Sequence, residues 1–102
     1  METIPESLEL IEGHVGRAVA AAEADAGCSP VMRAVLGEFQ RKVGKARAAL
    51  LAGQPPREPV VELEQAADSA RVAAMADAGA AEKTKELVDT AHMAICLLKA
   101  QG

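Results

Sequence analysis

The chain has 102 residues, a formal net charge of −4 and a single aromatic side chain. This length suits one domain, residues 1–102. One aromatic residue excludes the stacking platforms that single-stranded nucleic acids and RNA-recognition sheets need. Alanine and 26 larger Ile, Val, Leu, Met and Phe residues supply nearly all of the apolar half. So little bulk predicts a thin core and a homo-oligomer.

The length of the apolar runs and the number of cysteines indicate the cellular compartment. No run approaches the ~18 apolar residues of a membrane span, and no signal peptide opens the sequence. Two cysteines are too few for a disulfide framework. The sequence therefore predicts a cytoplasmic, reduced protein with no membrane contact.

Two heptad-spaced stripes predict a first pair of helices. The first helix is expected over about residues 5–26 and ends at Gly27. The second opens at Ser29-Pro30, an N-cap followed by proline, and ends at Gly53. Their stripes repeat a 4-3-4-3-4 spacing: Ile4, Leu8, Ile11, Val15, Ala18 and Ala22, then Met32, Leu36, Phe39, Val43, Ala46 and Leu50.

A proline-rich break at residues 54–59 precedes two further helices, over about residues 59–78 and 81–100. Their stripes have smaller side chains: Val60, Leu63, Ala67, Ala70 and Ala74, then Val88, Ala91, Ile95 and Leu98. No segment alternates like a strand. The predicted fold is an all-α, antiparallel bundle of about four helices, built as two helical hairpins and expected to be oligomeric.

A short similarity links the two halves. Residues 19–27 read VAAAEADAG and residues 71–79 read RVAAMADAG, with six identities at an offset of 52. A repeated hairpin explains this similarity. The composition of alanine-rich helices that end in Asp-Ala-Gly explains it as well.

Three histidine and cysteine residues are candidate metal ligands. His92 and Cys96 stand four residues apart and share a helix face. Cys28 precedes a helix start, where the dipole favours thiolate, which predicts that it reacts faster than Cys96. Together Cys28, His92 and Cys96 suit Cu(I) or Zn, although half-buried packing also explains them.

Two other features are candidate functional residues. His14 begins a His-x-x-basic-small pattern that resembles the His-x-x-Lys-Gly of histidine phosphotransfer domains, and packing at a stripe edge explains it too. Arg41, Lys42 and Lys45 form a basic patch that could meet the phosphates of duplex DNA, or be a solvated face. No catalytic triad or phosphate loop is present in a suitable context, so an enzyme is not expected.

A family resemblance brings several of these residues together. Residues 8–15 read LELIEGHV, residues 23–28 read EADAGC, and Val31-Met32 follow. This resembles the CsoR-type metal- and aldehyde-sensing repressors, whose first helix reads R-L-x-R-I-x-G-Q/H-V and whose second opens on a cysteine. Lys45 falls near the family's basic position, and residues 86–89 are similar to its last-helix motif.

The resemblance implies a small helical regulator that binds duplex DNA and responds to a metal or thiol-reactive species through Cys28. The alternative is a non-enzymatic helical scaffold or adaptor that self-associates or binds a protein partner. A third hypothesis is a phosphotransfer bundle that uses His14.

Overall fold

The computed structural model describes residues 4–101, without the side chains of Pro5 and Gln101, and over this range the chain is helical with no strand. The helices are α1 (Ile4–Ala24), α2 (Pro30–Leu51), α3 (Arg57–Ala76) and α4 (Glu82–Gln101). Ser29 caps α2 by accepting a hydrogen bond from the Met32 amide on its side chain. The predicted all-α fold of four helices is confirmed, with helix ends within a few residues of those expected.

The helices form an antiparallel bundle in which each helix contacts two neighbours. Contacts join α1 to α2, α2 to α3, α3 to α4 and α4 back to α1, and among the described residues no Cα atoms of diagonally opposite helices lie within 8 Å of each other. The bundle measures 40 × 21 × 18 Å. In the described part of the chain, no helix has an apolar stretch long enough to cross a bilayer.

The predicted stripes form the core. Every stripe residue of the four helices is buried, except Ile4 and Leu50, which are half-buried against it at the end of the bundle opposite the α1–α2 turn. Burial of these side chains drives folding, because most of the stability of helices in proteins comes from packing of their apolar faces. Heptad spacing alone therefore located the core.

The internal similarity extends far beyond the turn. The buried positions of α1 and α2 recur 52 residues later in α3 and α4, in stretches where few residues are identical. Composition does not account for this agreement, and we describe the chain as a repeated hairpin. The equivalent buried pairs are Leu8/Val60, Ile11/Leu63, Val15/Ala67, Ala18/Ala70, Ala22/Ala74, Cys28/Ala80, Met32/Thr84, Leu36/Val88, Phe39/Ala91, Val43/Ile95 and Ala46/Leu98.

An ion pair also repeats at the same offset. Arg47 Nη1 lies 3.2 Å from Glu12 Oε1 across α1 and α2. Lys99 Nζ lies 2.8 Å from Glu64 Oε2 across α3 and α4. Because equivalent helices lie on the diagonals of the bundle, an approximate twofold axis runs along its length.

The two hairpin turns, residues 25–29 and 77–81, meet at one end of the bundle, called here the turn end. Asp77 Oδ2 accepts a hydrogen bond from the Ser29 amide at the start of α2, at 2.7 Å. Asp25 Oδ2 accepts one from the Ala81 amide before α4, at 2.7 Å, and one from the Thr84 hydroxyl. Each hairpin therefore caps the other hairpin's second helix, where amides lack intrahelical partners.

Gly27 and Gly79 allow the turns to approach. A Cβ atom added at either glycine would overlap the carbonyl group of the other. No other amino acid fits here unless the backbones separate. The two glycines thus allow the turns to come close enough for Asp25 and Asp77 each to accept hydrogen bonds from the other hairpin.

Phe39 is the largest fully buried side chain, and its equivalent position on α4 is Ala91. We expect Phe39→Ala to lower the free energy of unfolding by about 3–5 kcal/mol, because two alanines would then face the axis in one layer and leave a cavity. Chemical denaturation followed by circular dichroism measures this. A loss below about 1 kcal/mol would contradict full burial of the ring.

The turn end should make the protein sensitive to acid. Hydrogen bonds from the Ala81 amide to Asp25, and from the Ser29 amide to Asp77, hold the pKa of each carboxyl below its ordinary value. A lowered folded-state pKa stabilises the fold above the ordinary value near 3.9, and this contribution is lost as pH falls from there through the lowered values. Asp25→Asn and Asp77→Asn should each flatten the loss of stability below about pH 4. Glu9→Gln, at an exposed position of α1, is the control and should not flatten this loss.

Candidate functional site

Cys28 lies at the turn end and is only 4% exposed. Burial raises the pKa of its thiol, and the nearby Asp77 carboxylate raises it further. The helix dipole was expected to favour the thiolate, but it is outweighed. The prediction that Cys28 is the more reactive cysteine therefore lacks its structural basis.

His92 and Cys96 lie halfway along the exposed side of the α3–α4 pair, where they meet a third polar residue. Cys96 Sγ is 3.8 Å from His92 Nδ1, and His92 Nε2 is 2.7 Å from Asp68 Oδ1. With its proton on Nε2, the ring donates to Asp68 and offers Nδ1 to the thiol, the order of groups that activates a nucleophile. Asp68 was missed because it is 24 residues from His92 in sequence. The register of an antiparallel hairpin about Gly79 would have placed the two side by side.

The structure does not bring the predicted metal ligands Cys28, His92 and Cys96 together. Cys28 is equivalent to Ala80 at the turn end, and Cys96 lies sixteen residues further along α4, about 24 Å at ~1.5 Å per residue. Among the described residues, no group of three His, Cys, Asp or Glu side chains could hold a metal ion. Asp68 and Cys96 also approach opposite nitrogens of His92, so they cannot share one ion with it.

The basic patch Arg41, Lys42 and Lys45 lies on α2 beside α3, and acidic groups accompany it. Arg41 donates to both carboxylate oxygens of Glu38, at 3.1 Å from its Nε, and this lowers the pKa of Glu38. Lys45 Nζ is 3.9 Å from a carboxylate oxygen of Glu62. The surface therefore has mixed charge, and phosphate binding by the patch remains a prediction.

His14 lies on α1 and faces α4. Arg17 Nη2 is 2.7 Å from His14 Nδ1, and the half-buried ring borders a shallow groove of about 400 Å³ with Met93 and Leu97. Phosphotransfer through this ring remains a prediction.

A second feature of this surface is a cluster of exposed apolar side chains. Leu10 on α1 is 56% exposed, and Met93 and Leu97 on α4 are 59% and 60% exposed. Leu10 and Leu97 also line a smaller adjoining cavity of about 130 Å³. We call this surface the apolar face and define it by Leu10, His14, Met93, Ala94 and Leu97. Sequence reasoning missed it because its members fall outside the core stripes and meet only when α1 and α4 close the bundle.

The repeat gives the apolar face a counterpart in the same molecule. The equivalent positions lie between α2 and α3 and form what we call the charged face: Glu62, Ala66, Arg41, Lys42 and Lys45. Leu10 is replaced there by Glu62, Met93 by Arg41 and Leu97 by Lys45. Two surfaces with the same helix geometry thus carry opposite chemistry, so the bundle does not require an apolar surface at these positions.

Comparison of the chain with models of protein families, with curated proteins and with solved structures gave no match.

We expect Cys96 to be alkylated by iodoacetamide at least about tenfold faster than Cys28 in the folded protein at neutral pH, because Cys96 is half-buried beside an imidazole and Cys28 is enclosed. Mass mapping over time measures both rates. In denaturant the two rates should converge.

His92→Gln is the matched variant, since Gln40 occupies the equivalent position of the first hairpin. It should slow Cys96 and leave Cys28 unchanged. A faster Cys28 in the folded wild type would contradict the geometry.

Proposed function

We propose that this protein is a non-enzymatic helical adaptor that binds a protein surface through its apolar face. The observation that carries the proposal is the contrast between that face and the charged face. Both occupy the seam between two antiparallel helices, and only one presents Leu10, Met93 and Leu97 to solvent.

Exposed apolar side chains are common singly, but a cluster across two helices is a feature of interaction sites. Met93 and Leu97 are one turn apart on α4, and Leu10 lies across the groove on α1. Methionine and other large apolar side chains are enriched at the centre of interfaces, whereas lysine and glutamate are depleted there. The apolar face follows the first pattern and the charged face follows the second.

The rim has the polar character that an interface rim needs. Asp89 lines the groove, Arg17 contacts His14 beside it, and both are exposed. A polar rim around an apolar centre lets a partner bury the centre without stranding charges. The proposal involves binding alone and includes no catalytic step.

The regulator function that the CsoR-type resemblance implies remains a separate prediction. The described residues contain no group of three side chains that could hold a metal ion. Glu38 and Glu62 lie beside the basic patch that would bind DNA. Binding to duplex DNA that weakens as salt rises would support it. The adaptor proposal does not require such binding.

Photo-crosslinking from the apolar face tests the adaptor. Leu97→benzoylphenylalanine in cells that express the chain should give one adduct of discrete mass, because the partner covers this side chain. Adding Met93→Arg to the same chain should remove the adduct. Mass spectrometry identifies the attached protein.

The control places the same probe at Val72, which is 66% exposed on the outer surface of α3. That position should give no discrete adduct. Equal adducts at both positions, or none at position 97, would overturn the adaptor.

A further inference from the structure

We infer that the partner of the apolar face is a second copy of this chain, bound as a twofold dimer. The inference rests on the proposed function and names its partner. The extents of 40 × 21 × 18 Å give a long side of the bundle a projected area of about 720–840 Å², comparable to the ~800 Å² of accessible surface that each partner buries in a standard stable interface.

A twofold interface must be self-complementary, since each contact occurs twice. An axis in the plane of the face and perpendicular to the helices sets α1 antiparallel to α1 of the second copy, and α4 antiparallel to its counterpart. We use a residue number to mark a height, or level, along a helix axis. Level 12 on α1 and level 95 on α4 both lie about 20 Å from the turn end at ~1.5 Å per residue. One axis can therefore cross both helices there.

This axis pairs the apolar residues with one another. Leu10 and His14 lie two residues either side of level 12, so Leu10 faces His14 of the second copy. Met93 and Leu97 lie two residues either side of level 95, so Met93 faces Leu97 of the second copy. This single arrangement therefore buries all three exposed apolar side chains of the face in both copies.

The charges at the rim agree with the same register. Arg17 and Glu6 lie about equally far from level 12, so Arg17 approaches Glu6 of the second copy. Opposite charges at the rim fix register and speed association.

The charged face cannot associate in this way. The equivalent axis would set Arg41 against Lys45 of the second copy, and like charges facing each other oppose association. Of the two related faces, the register therefore selects the apolar one.

Sedimentation equilibrium on the full purified chain tests the dimer. The wild type should reach twice the 10.5 kDa chain mass in the micromolar range. Met93→Arg/Leu97→Lys introduces the residue types that the chain itself carries at Arg41 and Lys45, so the fold should tolerate it. This variant should weaken dimerisation about 100-fold or more, which corresponds to at least about 2.7 kcal/mol. Circular dichroism checks that its helices remain.

Two further variants make the test specific. Val72→Arg/Met75→Lys adds the same charges to exposed positions of α3 and should leave the dimer intact. Met93→Arg/Leu97→Glu sets Arg against Glu of the second copy at both ends of the register. It should dimerise at least about tenfold more tightly than Met93→Arg/Leu97→Lys.

The outcomes separate the two proposals. A folded wild type that stays monomeric up to about 1 mM overturns the second copy, as does a dimer that Val72→Arg/Met75→Lys weakens equally. If crosslinking from position 97 then identifies a different protein, the adaptor stands with another partner. If it yields none, both proposals fail.

Discussion

The reciprocal capping of the two hairpins at the turn end is the constraint on which the rest of the structure depends. Asp25 and Asp77 each satisfy amides at the start of a helix in the other hairpin. Ordinary hydrophobic stripes tolerate sliding by a heptad, because leucine and alanine positions look alike along a helix. Directional hydrogen bonds at one end exclude such sliding, and they require Gly27 and Gly79 to touch. The axial register of all four helices follows from this one end.

The same end decides the chemistry of the cysteines. A helix N-terminus stabilises a negative charge by about 0.3–1 kcal/mol at an exposed position. Cys28 lies beside the N-terminus of α2, but its side chain is buried and near the Asp77 carboxylate. Both the burial and the carboxylate oppose ionisation of the thiol. Since a buried thiolate loses its hydration, burial outweighs a dipole of this size. At Cys96 the neighbours are His92 and solvent, so the second thiol is the chemically available one.

Much of the fold could be predicted from the sequence, because periodicity reports burial. The stripe from Leu8 to Ala22 and the Ser29-Pro30 start of α2 needed only spacing and capping rules. The repeat was visible only at the turn, since equivalent core positions such as Phe39 and Ala91 differ in size while sharing a place. A large residue opposite a small one fills a layer, and this complementarity removes sequence identity even as it preserves geometry.

The candidate sites were harder to predict, because they depend on contacts between helices far apart in sequence. The spacing of His92 and Cys96 identified a local pair but gave no sign of Asp68. Cys28 was grouped with that pair because of its residue type, but most of the length of α4 separates it from Cys96. Leu10 and Met93 had no role in any stripe, and their common surface exists only once α1 and α4 are adjacent.

The difference between the apolar face and the charged face has a consequence for the size of any assembly. Two identical hairpins held together as separate chains would present the same surface on both sides of the bundle. With apolar surfaces on both sides, each unit could recruit a neighbour left and right, and growth would continue into a fibre. Fusing the hairpins into one polypeptide frees Leu97 and Lys45 to differ, so only one of the two sides carries the apolar surface. A unit with an apolar surface on one side only could pair with one neighbour and could not grow into a fibre.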